Sequence, residues 1–419
     1  MLRPRFARAG IAAAFIVLAF SAIGGAQKAP QQFWVTTWGA SQQIPEPQNT
    51  LLADYLRDAT MREIVHVSMG GSVLRVHLSN AMGIVALHFT SVHIAKPLAT
   101  DGSAIDPATD QALTFNGARD LTIPPGAEYI SDPIAYPLKP LSDVAISFHL
   151  DDPPVPETSH PGSRSTSYYV HGDEVSAPVL DGAGKVDHWY QVAAIDVQAS
   201  PSAASVVALG DSITDGHAST TNGNDRWTDV LAERLQQSPK TQEIGVSNQG
   251  IGGNHLLTDG LGPNALARLD RDVLAPAGVR WVIVFEGVND LGALSRRGDV
   301  APSEHAALVA RIEGAYEQII SRAHAHGIRV IGATITPYSG SDYYHPSSSH
   351  EADREAVNSW IRTPGHFDEV IDFDRVVGDP EHPDRLLPAY DCGDHLHPND
   401  AGYQAMAKAV DLTVLVPEQ

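Results

Sequence analysis

One serine stands where the sequence pattern favours a nucleophile. Ser212 lies in Gly210-Asp211-Ser212-Ile213-Thr214, directly after an apolar run at residues 205–209. A residue at the carboxyl end of a parallel strand lies at the edge where open α/β sheets place their sites. The spacing does not fit the G-x-S-x-G elbow of the α/β-hydrolases, because the second residue after Ser212 is Thr214. Ser212 is therefore a candidate nucleophile of another architecture, although an Asp-Ser pair also forms ordinary turns and helix caps.

A carboxylate and an imidazole late in the sequence could form the base for that serine. Asp394 and His397 lie three residues apart, a spacing that can bring both side chains onto one turn. His397 would take the proton of Ser212, and Asp394 would fix the imidazole tautomer and stabilise the imidazolium. His395 is the rival imidazole, but it directly follows Asp394 in the sequence, so we expect its side chain to point elsewhere. In isolation the same cluster could be a polar loop before a helix.

Four segments, in order, resemble the sequence blocks of the GDSL or SGNH hydrolase family. They are Gly210-Asp211-Ser212, Asn248-Gln249-Gly250-Ile251-Gly252-Gly253, Gly287-Val288-Asn289-Asp290 and the segment from Asp394 to His397. Each block is weak alone, but four in order within about two hundred residues argue against chance. The resemblance covers roughly half of the chain, from Ser205 onward, and implies a flavodoxin-like, three-layer α/β/α fold. It also implies an oxyanion hole that includes Gly253 and Asn289.

The same residues have a physical rationale as an oxyanion hole. A tetrahedral intermediate carries a negative charge on oxygen, and each fixed donor aimed at it is worth about 10²–10³ in rate. The donors would be the backbone N–H groups of Ser212 and Gly253 and the side-chain amide of Asn289. Gly253 has no Cβ, so its backbone can approach a substrate closely. Taken singly, Gly253 could belong to a plain tight turn and Asn289 to a helix cap.

Cofactor motifs of the familiar types are absent from the sequence. It has no Walker loop, no dinucleotide glycine pattern after a strand and no paired cysteines. We therefore expect no cofactor and no bound metal, as for a hydrolysis that needs only water. A zinc-dependent hydrolase is the alternative, because Asp394, His395 and His397 could ligate zinc together with His345 or His350. That alternative predicts loss of activity with a chelator and leaves the other three blocks without a role.

The first 26 residues have the pattern of a cleaved secretory signal. Three arginines lie within the first eight residues, ahead of an apolar run at residues 11–23 and a small-residue end at Ala26. The run is shorter than the roughly 20 residues needed to cross a bilayer, so we expect a secreted or periplasmic protein without stable membrane insertion after signal cleavage. The formal net charge of −22, more negative still without those arginines, argues against nucleic-acid partners. No repeat or coiled-coil pattern defines an oligomeric state.

The two halves of the remaining chain differ in the pattern of their apolar and turn-forming residues. Residues 33–199 show short alternating stretches broken by Gly, Pro, Asp and Ser, which predicts an all-β sandwich or jelly-roll domain. Its clearest unit is a predicted hairpin of residues 63–69 and 72–80, in which Gly70-Gly71 would supply the positive φ of a two-residue turn. A further strand is predicted at residues 143–150. Near residue 200 this pattern changes, which indicates a second domain at residues 203–416.

In the second domain, apolar runs alternate with amphipathic helices, as expected for a parallel sheet covered on both faces. The best helix runs from Ser303, as N-cap, to a left-handed stop at Gly327. Asn399 is predicted to cap the last helix. Strands are predicted at residues 205–209, 279–285, 329–335 and 369–373.

Three further features lie near these motifs. Tyr343 and Tyr344, with His345, should overhang the same edge as Ser212, where a sugar could stack, although an ordinary surface loop fits equally well. Cys392 is near enough to Asp394 to be a reactive thiol, but a free cysteine is more often buried and inert. Asp225-Arg226-Trp227 is interpreted as structural.

Together these features predict a secreted serine esterase that removes a small acyl group, such as acetyl, through an acyl-enzyme. A β-domain followed by the four blocks resembles the subgroup that contains xylan-degrading esterases, which suggests carbohydrate acetyl esters as substrates. A lysophospholipase, a general carboxylesterase or an acyltransferase would use the same residues. A non-catalytic carbohydrate-binding protein fits poorly with a full set of nucleophile, base and donors.

Overall fold

Short alternating apolar stretches build a β-rich region over residues 33–199 in the computed structural model, which describes Met1 and residues 32–298 and 300–416. Apart from Met1, the predicted signal peptide at residues 1–26 lies outside the described residues. The strands of the β-rich region are β1 (Phe33–Gly39), β2 (Ala59–Val67), β3 (Gly71–Ser79), β4 (Leu87–Pro97), β5 (Ile105–Ala112), β6 (Leu121–Ile123), β7 (Glu128–Ile130), β8 (Ile134–Leu138), β9 (Ser142–Leu150), β10 (Ser159–His160), β11 (Ser167–His171), β12 (Gly184–Val186), β13 (Trp189–Tyr190) and β14 (Val192–Ala199).

These strands form two antiparallel sheets that share one hydrophobic core. One sheet has the order β1-β14-β3-β7, with β8 also paired to β3, and the other has the order β12-β11-β2-β9-β4-β5, with β6 paired to β4. Strands β10 and β13 form a separate pair. Val76 of β3 and Ile146 of β9, one from each sheet, are both fully buried in the shared core. The predicted strand at residues 143–150 is confirmed by β9.

The predicted hairpin around Gly70-Gly71 is wrong. Strand β2 pairs with β9 and β11, whereas β3 pairs with β14, β7 and β8 in the other sheet. Neither glycine has a positive φ. A Cβ on Gly70 would lie 2.5 Å from the carbonyl oxygen of Leu138, so this glycine serves a close approach of two backbones. Each strand buries its own apolar face in the same core, and the chain therefore crosses between the sheets instead of folding back in one.

The second half of the described chain is an α/β region with a five-stranded parallel sheet. The sheet order is β16-β15-β17-β18-β19, which in chain order is 2-1-3-4-5. Its strands are β15 (Ala204–Gly210), β16 (Ile244–Gly250), β17 (Val279–Phe285), β18 (Arg329–Ala333) and β19 (Glu369–Ile371). Its helices are α1 (Ser212–Asp215), α2 (Trp227–Gln236), α3 (Ala265–Leu269), α4 (Val288–Ser295), α5 (Pro302–Ala325), α6 (Ser348–Arg362), α7 (Phe373–Val377) and α8 (Asp400–Ala409).

Alternate residues of the central strands enter different hydrophobic clusters. Val206 of β15 packs in a cluster with α2, α7 and α8, whereas Val207 packs in a cluster with α3, α4, α5 and α6. Successive side chains of a strand point to opposite faces of the sheet. The near-continuous apolar runs of the sequence therefore reflect strands buried on both sides.

Most of the predicted elements of this domain are present, with changed ends. Helix α5 starts at Pro302, with Ala301 as the N-cap, so the predicted cap at Ser303 is wrong. Proline suits the first helical position, because its missing N–H has no partner there anyway. Gly327, with a φ of 71°, ends the helix as predicted. Asn399 caps α8 by accepting a hydrogen bond from the Gly402 N–H.

Strand β16 was not predicted, because its sequence, Ile-Gly-Val-Ser-Asn-Gln-Gly, contains no apolar run. The predicted strands at residues 329–335 and 369–373 end earlier, at Ala333 and Ile371, and Phe373 begins α7 instead. Strand β14 ends at Ala199 and β15 begins at Ala204, on either side of the predicted domain boundary. From Phe33 onward the described residues nevertheless cluster as one compact unit, so the division into two domains stays a prediction. In the described part of the chain, no helix combines the length and the apolar character needed to cross a membrane.

The β-rich region covers the outer edge of β16. The Ser68 hydroxyl accepts a hydrogen bond from the Val246 N–H at 2.8 Å. Gly245 packs directly on β1, since a Cβ added there would lie 2.2 Å from the Thr36 carbonyl oxygen. An uncovered edge strand presents unpaired N–H and C=O groups to other chains. The contact of β1 with β16 therefore serves both halves of the molecule.

This contact predicts opposite effects for two glycine-to-alanine changes. We expect Gly245→Ala to destabilise the protein by about 1–3 kcal/mol, because the added methyl group meets backbone of β1. Gly314, inside α5, has open space around the position of its Cβ. Gly314→Ala should stabilise by about 0.5–1 kcal/mol through helix propensity. Thermal midpoints of the two variants and the wild type check this, and a neutral Gly245→Ala would contradict the close approach.

Candidate active site

The turn after β15 presents Ser212 at the carboxyl edge of the sheet. Ser212 is the first residue of the short helix α1, and Asp211 caps that helix by accepting the Ile213 N–H at 2.9 Å. Gly216 ends the helix in a left-handed conformation with a φ of 94°. The strand order reverses at β15, between β16 and β17, which is where open α/β sheets form their crevice.

The structure brings Ser212 together with the predicted base. Ser212 Oγ lies 2.8 Å from His397 Nε2, and His397 Nδ1 lies 2.6 Å from Asp394 Oδ2. The backbone N–H groups of Leu396 and His397 both donate to Asp394 Oδ1. The three predicted side chains thus form one hydrogen-bonded series, in the geometry that a serine nucleophile requires.

The electrostatics of Asp394 suit the orienting carboxylate. Burial alone would raise its pKa, but the hydrogen bonds from His397 and the charge of that imidazole hold the pKa well below its usual range. Asp394 therefore stays ionised over the whole working range of an enzyme. The rival imidazole, His395, faces away as predicted, with its Nδ1 2.6 Å from Asp391 Oδ2.

Two backbone donors of the predicted oxyanion hole are open to a ligand. Within the described residues no acceptor is found for the N–H groups of Ser212 and Gly253. Gly253 has a φ of 70°, a left-handed conformation that glycine adopts without strain. A Cβ on Gly250 would lie 2.3 Å from the backbone nitrogen of Asp215, so the end of β16, just before the loop that carries Gly253, packs directly on α1.

The third predicted donor, Asn289, is held at both ends of its amide. Asn289 Nδ2 donates to the Asn254 carbonyl at 2.7 Å, which links the start of α4 to the loop after β16. The Tyr344 hydroxyl donates to Asn289 Oδ1 at 2.5 Å. An amide nitrogen has two hydrogens, so one stays available for an oxyanion. Gly287 precedes α4 with a φ of 116°, which sets the direction in which this loop enters the helix.

A buried arginine, Arg268 of α3, joins the loops that carry the site. Its side chain is 0% exposed, and an arginine presents five N–H donors that all need acceptors when buried. The partners of its guanidinium are the carbonyl oxygens of Gly210 and Gln249, the side chains of Asn254, Glu286 and Asp272, and the Ser41 hydroxyl. Arg268 was not singled out in the sequence, since no spacing pattern marks it.

Two carboxyl groups near this arginine have raised pKa values, which favours their protonated forms. Burial, with the charges of Asp290 and Asp215, raises the pKa of Asp211 to about 7, against the lowering effect of the Ile213 N–H. Burial and the charge of Asp211 raise the pKa of Glu286 well above its usual range. Protonation of these acids limits the buried negative charge beneath Ser212.

Two side chains that the sequence analysis missed lie against the base. The ring of His217 packs on the ring of His397 with centroids 4.0 Å apart. Arg164, from the β-rich region, donates to His217 Nδ1 at 3.2 Å. Burial and the nearby His397 and Arg164 lower the pKa of His217 to about 4, so it is neutral at neutral pH. A contact between the two halves brings Arg164 to His217, and no local motif marks either residue.

The structure does not bring together the residues of the alternative zinc site. His395 pairs with Asp391, and His350 lies at the start of α6 with its ring 5.0 Å from that of His305. Among the described residues, the group of possible metal ligands that shares most members with this alternative consists of His217, Asp394 and His397. This group includes the predicted base itself.

Other predictions near the site had mixed outcomes. Cys392 is exposed, so the expectation of a buried cysteine is wrong. Burial of its sulfur and the neighbouring Asp394 raise the pKa of its thiol to about 11, which leaves little thiolate at neutral pH. Arg226 donates to the Asp215 carbonyl and Trp227 is fully buried, as a structural role requires.

The raised pKa of Asp211 predicts a pH-dependent stability. An unfolded aspartate titrates near 3.9, so as the pH rises from about 4 to 7 the unfolded chain loses this proton before the native one, and stability falls. Asp211→Asn keeps a capping oxygen and removes the titration. We expect its stability to rise relative to wild type by roughly 1–3 kcal/mol between pH 4 and pH 8. Thermal midpoints at both pH values, with exposed Asp181→Asn as control, check this; an equal difference at both would contradict it.

Residues 208–405 match the model of the GDSL-like Lipase/Acylhydrolase family. No curated protein matches the chain. Among similar solved structures is the acetyl xylan esterase AlAXEase, with 23% identity over 49% of this chain and 96% of that one and a TM-score of 0.37.

Two others are the aryl esterase of M. smegmatis and Est24, a carbohydrate acetylesterase from Sinorhizobium meliloti. The first has 16% identity over 52% of this chain and 100% of that one, with a TM-score of 0.38. The second has 15% identity over 51% and 98%, with a TM-score of 0.38. It is the family match, which spans the four blocks, that assigns residues 208–405. The chain therefore carries an ester hydrolase domain of the GDSL-like lipase/acylhydrolase family.

Proposed function

We propose that the protein is an exported serine esterase that cleaves short acyl esters, acetyl above all, from carbohydrates. The observation that carries the proposal is the series Ser212 Oγ, His397 Nε2 and Asp394, with separations of 2.8 Å and 2.6 Å. Export rests on the signal-like pattern of residues 1–26. We further propose a β-sandwich for residues 33–199 and a three-layer α/β/α hydrolase domain, on the strength of the shared core and of the two clusters on opposite sides of the sheet.

In this mechanism Ser212 attacks the ester carbonyl while His397 takes its proton. Asp394 holds the imidazole in the required tautomer and stabilises the imidazolium. The negative oxygen of the tetrahedral intermediate binds the N–H groups of Ser212 and Gly253 and the free amide hydrogen of Asn289. His397 then returns its proton to the departing alcohol, which leaves an acyl group on Ser212. Water, activated by the same imidazole, releases the acid and restores the serine.

The surroundings of Ser212 favour a short acyl group. Ser212 is 9% exposed, and Asn289 and Tyr344 beside the oxyanion site are 2% and 4% exposed. A nucleophile and donors that are this buried favour a small acyl group over a long alkyl chain.

An aromatic surface near the site favours a sugar. The side chain of Tyr343 is 55% exposed, and its ring lies 4.7 Å from that of Tyr344, which contacts Asn289. The Arg296 guanidinium covers one face of Tyr343 at 4.0 Å. A sugar ring can pack on an exposed tyrosine through its C–H face, and a guanidinium can donate to its hydroxyl groups.

The first test compares the wild type with Ser212→Ala on p-nitrophenyl acetate, p-nitrophenyl palmitate and acetylated xylan, with and without EDTA. We expect Ser212→Ala to lower kcat by about 10⁴-fold or more, because the nucleophile is lost, and EDTA to have no effect. Acetyl esters should be preferred over palmitate, and xylan should be deacetylated. Activity that survives Ser212→Ala or disappears with EDTA would contradict the serine mechanism. A preference for palmitate would point to a lipolytic enzyme instead.

A second test concerns the oxyanion donor. We expect Asn289→Ala to lower kcat by about 10²–10³-fold, and Tyr344→Phe by about 3–10-fold through loss of the hydroxyl that orients the amide. Tyr344→Phe should have no further effect in the Asn289→Ala background, because the residues act as one unit. Tyr129→Phe, in the β-rich region, is the control for loss of a tyrosine hydroxyl. Additive losses in the double variant would show that Tyr344 does not act through Asn289.

A further inference from the structure

The β-rich region sends one buried side chain beneath the loop that carries Gly253. His160, at the end of β10, is 3% exposed, and its ring packs on that of Trp189 with centroids 5.6 Å apart. His160 Nδ1 lies 2.8 Å from the Ser41 carbonyl, which can only accept, so Nδ1 carries a hydrogen and donates it. The other ring nitrogen, Nε2, faces Asp215 Oδ1 at 2.9 Å. The ring is thereby fixed from both sides.

Asp215 transmits this contact to the catalytic loops. It is the last residue of α1, three positions after Ser212, and is 6% exposed. While Oδ1 faces His160, Oδ2 accepts the Gly252 N–H at 3.1 Å. Gly162, also in the β-rich region, packs against the same carboxylate, since a Cβ there would lie 1.8 Å from Asp215 Oδ2. The carboxylate therefore has one position, set largely by the β-rich region.

Gly252 immediately precedes Gly253, so its hydrogen bond sets where the Gly253 N–H stands relative to Ser212. A donor displaced from the oxyanion loses most of its effect on the transition state, because that effect depends on fixed geometry. Binding of the uncharged ester in the ground state depends on it much less.

We propose that His160 is a positioning residue for ester cleavage, through which the β-rich region fixes the oxyanion loop by way of Asp215 and Gly252. The inference rests on the proposed function, since it assigns a role within the same oxyanion hole. It also gives the β-rich region a part in the reaction besides covering the sheet edge.

Two replacements of His160 separate the two contacts of its ring. The amide nitrogen of Asn reaches the place of Nδ1, and that of Gln reaches the place of Nε2. His160→Asn therefore keeps the contact with Ser41 and loses that with Asp215, whereas His160→Gln does the reverse. On p-nitrophenyl acetate we expect His160→Asn to lower kcat by about tenfold or more and to change KM by no more than about twofold. The kcat of His160→Gln should stay within about threefold of the wild-type value.

Phenylboronic acid is the second readout, because it forms a tetrahedral anion on the serine and so probes the oxyanion hole directly. Its inhibition constant should rise in His160→Asn by about the factor by which kcat falls. Asp215→Ala removes the acceptor of the Gly252 N–H, and His160→Asn should add nothing further in that background. Should the His160 variants fail to fold, Asp215→Ala with unchanged kcat would overturn the proposal by itself.

Equal kcat in wild type and His160→Asn would overturn the inference. Equal losses in the Asn and Gln variants, with lower thermal midpoints and unchanged boronate inhibition, would show a merely structural role. Failure of the proposed function looks different, because the wild type itself would then lack esterase activity or Ser212→Ala would retain it.

Discussion

A buried, positively charged side chain, the Arg268 guanidinium, lies at the centre of the hydrolase domain. Arginine side chains are charged in proteins, and a buried charge must find acceptors or destabilise the fold. It finds them in the Gly210 and Gln249 carbonyl oxygens, at the ends of β15 and β16, and in Glu286, which follows β17. Ser212, Gly253 and Asn289 each follow one of these three strands. The relative placement of nucleophile and oxyanion donors therefore depends on one side chain that touches none of the reacting atoms.

The acids around this arginine have divided roles. Burial would raise the pKa of Asp272, but Arg271 and Arg268 lower it on balance, so Asp272 supplies the negative partner. Glu286 accepts from Arg268, although burial and the charge of Asp211 raise its pKa well above the usual range. Tyr316 adds a hydrogen bond to the Glu286 carbonyl at 2.7 Å. Asp272 is thus shared between two arginines, and with carbonyl and hydroxyl oxygens as further acceptors the buried charge of Arg268 is fully paired.

Sequence reasoning reached the parts of the site that local spacing encodes. Ser212 follows a strand, and Asp394 and His397 share a turn, so their chemistry can be seen in short segments. The contact of His160 with Asp215 joins residues 55 positions apart, and that of Arg164 with His217 joins residues 53 apart. Such contacts depend on how the β-rich region packs on α1, which no periodicity reports.

The errors in the fold have a similar cause. Alternation in β2 and β3 indicates which side of each strand is buried, but not which strand lies beside it, and the two belong to different sheets. Strand β16 lacks an apolar run because it contains Gly, Ser, Asn and Gln. It is nonetheless buried between the core of the α/β half and the β-rich region. The strand carries small and polar side chains where β1 approaches it, as at Gly245 and Ser247. Close backbone packing there replaces hydrophobic side chains, and hydropathy patterns miss it.

The covered edge of β16 also bears on how such a chain could be inherited. A gene segment encoding only the hydrolase half would yield a sheet whose outer strand has lost the Ser68 hydroxyl and the β1 backbone that now occupy it. That strand would be a template for pairing with other copies, and self-association would compete with folding. In this chain, inheritance of the hydrolase half alone would therefore require a substitute cover for the outer edge of β16.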